Sequence, residues 1–162
     1  MNFKTDILPL KDLLFRTALR ITGCREEAED VVQETLIKLW NQREKLSEVA
    51  SLEAYAITLA RNLSIDLLRK ASVNTVTLDE CTSANTSSEN PYEKIYAREE
   101  IRRIIQVMAL LPEKQRTCMH LRDFEGKNYR EIADVMGISE DQVRINIYRA
   151  RQFVKQNMLS GG

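Results

Sequence analysis

The 162-residue chain is 43% hydrophobic and 30% charged, with five Gly and three Pro, which excludes a disordered polypeptide and places most of the chain in regular structure. Its 24 basic and 24 acidic side chains cancel, which excludes an indiscriminate polyanion binder, and no apolar run approaches the ~18 residues that a membrane span requires. Three cysteines, Cys24, Cys81 and Cys118, with no close pair, argue against a disulfide framework; together with an N-terminus that lacks an apolar signal stretch, they point to a soluble, mostly helical protein of the reducing cytoplasm.

The first helix is expected over about Leu8 to Ile21, stopped by Gly23, which suits a left-handed C-terminal turn. A second runs from about Glu26 to Arg43. Ala28, Val31, Val32, Thr35, Leu36 and Leu39 recur at helical spacing and form its inner stripe. The opposite face carries Glu26, Asp30, Gln33, Ile37 and Asn41, within a stretch from Glu26 to Glu34 that holds five acids and no base. Trp40 is expected to be a packing anchor at the helix end. A third helix starts after Ser51, an N-cap candidate, with Glu53 in the first turn where the helix dipole favours an acid. Leu52, Tyr55, Ala56, Leu59, Leu63 and Leu67 make its inner face. Ile57, Ile65 and Leu68 lie on the other side beside Arg61, and a helix apolar on two sides needs a second partner to cover it. Asp66 is read first as an ion-pair partner of Lys70 or of a base on the first helix, and second as a residue that orients the DNA-binding surface.

A small polar run, Ser83 to Pro91, lacks periodicity and reads as a linker. The expected layout is therefore all-α: one small helical domain over residues 1–72, a flexible linker over 73–93, and a second helical domain over 94–162. In that second part Ile101, Ile104, Ile105, Met108 and Leu111 form one helical stripe, Pro112 starts a new helix, and Gly126 ends it. Asn128 and Glu131 then have capping-box spacing, followed by apolar Ile132, Ala133 and Met136. After Gly137 and Ile138, Ser139 to Gln142 is a second capping box, opening a helix with inner positions Val143, Ile147, Ala150 and Val154. Two short helices joined by Gly-Ile-Ser make a helix-turn-helix, whose second helix enters the major groove.

The helical wheel nominates the reading side chains. Ile145 and Tyr148 lie opposite the inner stripe, flanked by Arg144, Arg149 and Arg151, and Gln142 to Lys155 holds four bases and no acid. Arg149 suits a two-pronged contact with a guanine edge, and Ile145 and Tyr148 suit thymine methyls. Arg144 and Arg151 are placed for phosphates. Metal chemistry is a poor fit. Glu26, Asp30 and Glu34 share one face, but di-metal bundles draw carboxylates from several helices and pair them with Glu-x-x-His. Here the single histidine, His120, has no acid three residues before it, and Cys118 with His120 lacks a second zinc-ligand pair. No catalytic residue, cofactor, metal or small-molecule substrate is expected.

Ala28-Glu29-Asp30-Val31-Val32-Gln33-Glu34-Thr35-Leu36 resembles the signature of the sigma-70 family of bacterial RNA polymerase initiation factors. Leu59-Ala60-Arg61-Asn62, with Asp66, Arg69 and Lys70, resembles the promoter-binding helix that follows it. Leu110-Leu111-Pro112, Glu131-Ile132-Ala133 and Arg149-Ala150-Arg151 are similar to the family's C-terminal domain. The short length and two-part layout resemble the extracytoplasmic-function group, which implies a region 2 helical bundle and a region 4 helix-turn-helix. The resemblance further implies that Asp30, Gln33, Glu34, Ile37 and Asn41 bind polymerase core. It implies that Arg61, Asn62, Arg69 and Lys70 hold the −10 element, and that Arg144, Ile145, Tyr148, Arg149 and Arg151 bind the −35 element. The implied partners are RNA polymerase core, promoter DNA and an anti-sigma factor, membrane-anchored in many family members. Departures from the family pattern, at Tyr55, Thr58, Cys24, Ile145 and Asn146, bear on promoter sequence and duplex affinity. The competing reading is a stand-alone helix-turn-helix regulator, which would need a receiver or ligand-binding domain that the first 70 residues do not suggest.

Overall fold

The computed structural model describes residues 2–73 and 95–160, and the linker expected over 73–93 lies outside these residues except for Val73. Among them are seven α-helices and no strand: α1 (Lys11–Thr22), α2 (Arg25–Asn41), α3 (Leu52–Val73), α4 (Ile95–Met108), α5 (Glu113–Met119), α6 (Tyr129–Met136) and α7 (Glu140–Ser160). No helix among the described residues is long and apolar enough to cross a membrane.

Local chemistry explains the boundaries. α1 ends where Gly23 takes φ 69°, in the left-handed region open to glycine at little cost, and its N–H closes on the Leu19 carbonyl. The Ser51 hydroxyl accepts from the Ala54 N–H at 3.1 Å and so caps α3. α1, α2 and α3 pack together through the expected stripes. Leu14, Ala18, Ala28, Val31, Val32 and Leu39 are buried, and Thr35 closes onto the Val31 carbonyl at 2.7 Å. Trp40 anchors the end of α2, edge-on to Phe3 and beneath the Arg43 guanidinium.

In the second half, α5 runs on through one π-turn, His120–Phe124, before Gly126. α6 carries both bonds of its capping box, between Asn128 and Glu131. The reciprocal Ser139–Gln142 bonds open α7 in the same way. Met108, Leu111, Met119, Ala150 and Val154 form a small core between α4, α5 and α7. The α4 stripe is only partly used, since Ile101 is 47% exposed.

The larger core is continuous across both halves of the chain. Leu14, Ala56, Ile57 and Ala60 belong to the same cluster as Leu121, Ile132, Val135 and Ile147. On the second apolar side of α3 the second domain covers Ile57, 1% exposed, and the neighbouring Arg61, 9% exposed, while Ile65 and Leu68 stay half-buried outside that core. Cys118 is a free buried thiol, pushed up to about 12 by burial and then by the neighbouring Glu113 carboxylate.

Candidate functional site

Three surfaces collect the nominated residues. On α2, Asp30, Gln33, Glu34 and Asn41 are all exposed, and Ile37, at 59% exposure, stands among them. Its neighbours on the inner stripe are buried, so the helix turns one apolar side chain to solvent within an acidic field. That pairing of an apolar anchor with flanking acids suits a basic protein surface.

On α3 the candidates separate. Asn62, Arg69 and Lys70 are exposed, whereas Arg61 turns into the contact between the domains. Its guanidinium donates from Nε and Nη2 to the two Glu113 oxygens, at 2.9 and 2.8 Å. Asp66 is exposed and makes no ion pair with Lys70 or with a helix-one base among the described residues.

On α7, Val143 and Ile147 are buried while Ile145 and Tyr148 are 48% and 65% exposed, as the 100° step per residue requires. Arg149 is exposed beside them. Arg144 donates to Asp141 at 3.0 Å and lies over the Tyr129 ring, and Arg151 forms a forked pair with Asp123. Tyr129 and Asp123 thus hold two of the proposed phosphate-binding arginines in place. Neither was legible in the sequence, because each acts across a turn from a different element. No cluster of three or more metal-ligating side chains occurs among the described residues.

A polar cluster also lies between the domains. Arg16 on α1 grips Glu125 with two hydrogen bonds of 2.8 and 2.9 Å. Arg20 donates to Nδ1 of buried His120 at 3.2 Å and covers the Phe124 ring, and His120 Nε2 faces Glu125 at 3.2 Å. Lys127 pairs with Glu53 of α3. Burial alone would raise the Glu125 carboxyl, but the Arg16 hydrogen bonds and the adjacent imidazole bring it down to about 2. Burial also lowers Arg20, to about 10, and lowers His120 against the pull of Glu125. Glu113 is depressed as well: burial works against it, and the bonds from Arg61 and Thr117 prevail.

These shifts fix a pH dependence. A depressed carboxylate stabilises the fold above its ordinary value of 4.5 and loses that contribution as pH falls toward about 2. A histidine held below its ordinary 6.5 likewise stabilises above that value and less on acidification. Unfolding by urea is therefore expected to show a loss of roughly 1 kcal/mol between pH 7 and pH 3 from Glu125, after discounting for residual hydration, with the remainder lost only toward pH 2. Glu125→Gln should flatten the part of the curve below pH 4.5; an unchanged profile would remove Glu125 as the cause.

Comparison with known proteins sets this geometry in context. Residues 7–73 match the model of sigma-70 region 2, and residues 101–154 match that of sigma-70 region 4. The chain is 31% identical over 139 residues to the ECF RNA polymerase sigma factor SigL of Mycobacterium tuberculosis, covering 85% of this chain and 78% of that one. It is 33% identical over 161 residues to the RNA polymerase sigma-H factor of Pseudomonas aeruginosa, covering 92% and 83%. Its fold is similar to that of the sigma factor RpoE of Bartonella quintana, solved in complex with the anti-sigma factor NepR, with a TM-score of 0.77, 22% identity and 96% of each chain covered.

Proposed function

The chain belongs to the sigma-70 family, in its extracytoplasmic-function group, and on that premise we propose how its surfaces divide the work of starting transcription. The protein is an initiation factor that joins RNA polymerase core and directs it to promoters. Core docks on the outer face of α2 through Asp30, Gln33, Glu34, Ile37 and Asn41. Asn62, Arg69 and Lys70, with Arg61 when it is released, hold the opened −10 strand by cationic and stacking contacts. The exposed face of α7 reads the −35 duplex, with Arg149, Ile145 and Tyr148 at base edges and Arg144 and Arg151 on phosphates. None of these roles requires a catalytic group.

The observation that carries this reading is the pair of opposed faces on one chain: acids around exposed Ile37 on α2, and an exposed, acid-free basic strip from Gln142 to Lys155 on α7. Zero net charge fits it too. A factor with no excess of positive charge binds free DNA weakly and gains salt-sensitive, sequence-specific contacts inside the polymerase complex. An anti-sigma factor is the further partner proposed here, by analogy with the complex formed by RpoE.

Retention of polymerase core by the tagged protein tests the assignment directly. Replacing Asp30, Gln33 and Glu34 together by Ala is expected to weaken core binding about tenfold without unfolding the exposed face. A protein that ignored core and bound promoter duplex tightly as a dimer would instead be a stand-alone regulator.

A further inference from the structure

The contact between the domains is charge-sorted. Its cations Arg16, Arg20 and Arg61 come from α1 and α3, its acids Glu113 and Glu125 from the second domain, and among the described residues the Glu53–Lys127 pair runs the other way. Between them Ile57 meets the second domain's Leu121, Ile132 and Val135 in one continuous core. Arg61 holds the Glu113 carboxylate by a two-pronged fork, the geometry with which a guanidinium also grips a phosphate. Glu113 is fixed there by a third bond, from the Thr117 hydroxyl at 2.6 Å.

We propose that the second domain is an intramolecular occupant of the first domain's DNA face: the Glu113 carboxylate takes the place of a nucleic-acid phosphate on Arg61, and Glu125 on Arg16 locks the same closed form. The free factor is then self-blocked. Arg61 is 9% exposed while paired, so single-stranded promoter DNA reaches it only after α5 withdraws. The pairs are well suited to a latch. Side-chain exposures of 11% for Arg61 and 20% for Glu113 protect the pair from screening, yet an oligoanion offers the same guanidinium an equivalent partner. The blocking function rests on the −10 role proposed for Arg61; the closed form rests on the contacts alone.

Small-angle scattering of the full chain, with circular dichroism to verify folding, reads closure without DNA. The wild type should have a radius of gyration near the ~15 Å of a compact chain of this length. Reversing both acids (E113R/E125R) should raise it by about a third, and the complete swap R16E/R61E/E113R/E125R should restore it. The milder E113Q/E125Q variant should bind a fluorescent single-stranded oligothymidine about tenfold more tightly than wild type. E26Q/E29Q, which changes net charge equally, should not. A wild type already extended, or one whose dimensions ignore both the reversal and the swap, overturns the latch. If the reversal opens the chain but Arg61→Ala leaves oligothymidine binding by E113Q/E125Q unchanged, the closed form stands and the nucleic-acid role of Arg61 falls.

Discussion

Truncating Ile147 to Ala is expected to destabilise the protein by about 3 kcal/mol, while truncating its neighbour Tyr148 leaves stability within about 0.5 kcal/mol of wild type. The two residues are one step apart on α7, and that step turns the side chain through 100°. Ile147 is 1% exposed and lies in the core that runs from α1 to α7, whereas Tyr148 is 65% exposed. Losing three carbons at Ile147 therefore leaves a cavity walled by groups that cannot all collapse into it. Urea midpoints at constant m-value measure the stability change. The order should reverse in promoter binding. Tyr148→Ala is expected to weaken binding of the polymerase complex to its −35 duplex about tenfold, and Ile147→Ala should do so only to the extent that it unfolds α7. Equal stability losses for the two variants would mean that the exposed face of α7 has been placed wrongly.

What could be read from the sequence was whatever one helix decides for itself. The stripe from Ala28 to Leu39, the caps at Asn128 and Ser139 and the stop at Gly23 depend on residues within a few positions of one another, and each stands as read. Contacts across long separations were not legible. Arg61 resembled a DNA contact because its motif does, and nothing local discloses that Glu113, 52 positions away, accepts its two hydrogen bonds. Likewise nothing local to His120 discloses that it is buried between Arg20 and Glu125. One sign was present. Ile57, Ile65 and Leu68 on the outer side of α3 call for a covering partner, and the second domain supplies one for Ile57.

Replacing Ile37 by Asp is expected to weaken association with polymerase core by about a hundredfold, a larger effect than removing Asp30, Gln33 and Glu34 together. Exposed carboxylates interact through high dielectric and are screened by salt, so each contributes little and chiefly to the rate of encounter. An exposed isoleucine that becomes desolvated at the centre of an interface contributes more, and a carboxylate in its place must be buried without a designed partner. The free protein should not notice, because Ile37 is 59% exposed and the inner stripe of α2 is untouched. Salt separates the two effects. The triple Ala variant should approach wild-type affinity as ionic strength rises, since both then lose the same screened attraction, whereas the Ile37→Asp deficit should persist. Titration of fluorescent core with each variant at 50 and 300 mM salt makes the measurement. A triple variant more damaging than Ile37→Asp at the higher salt would show that the acids, not the isoleucine, form the centre of the docking face.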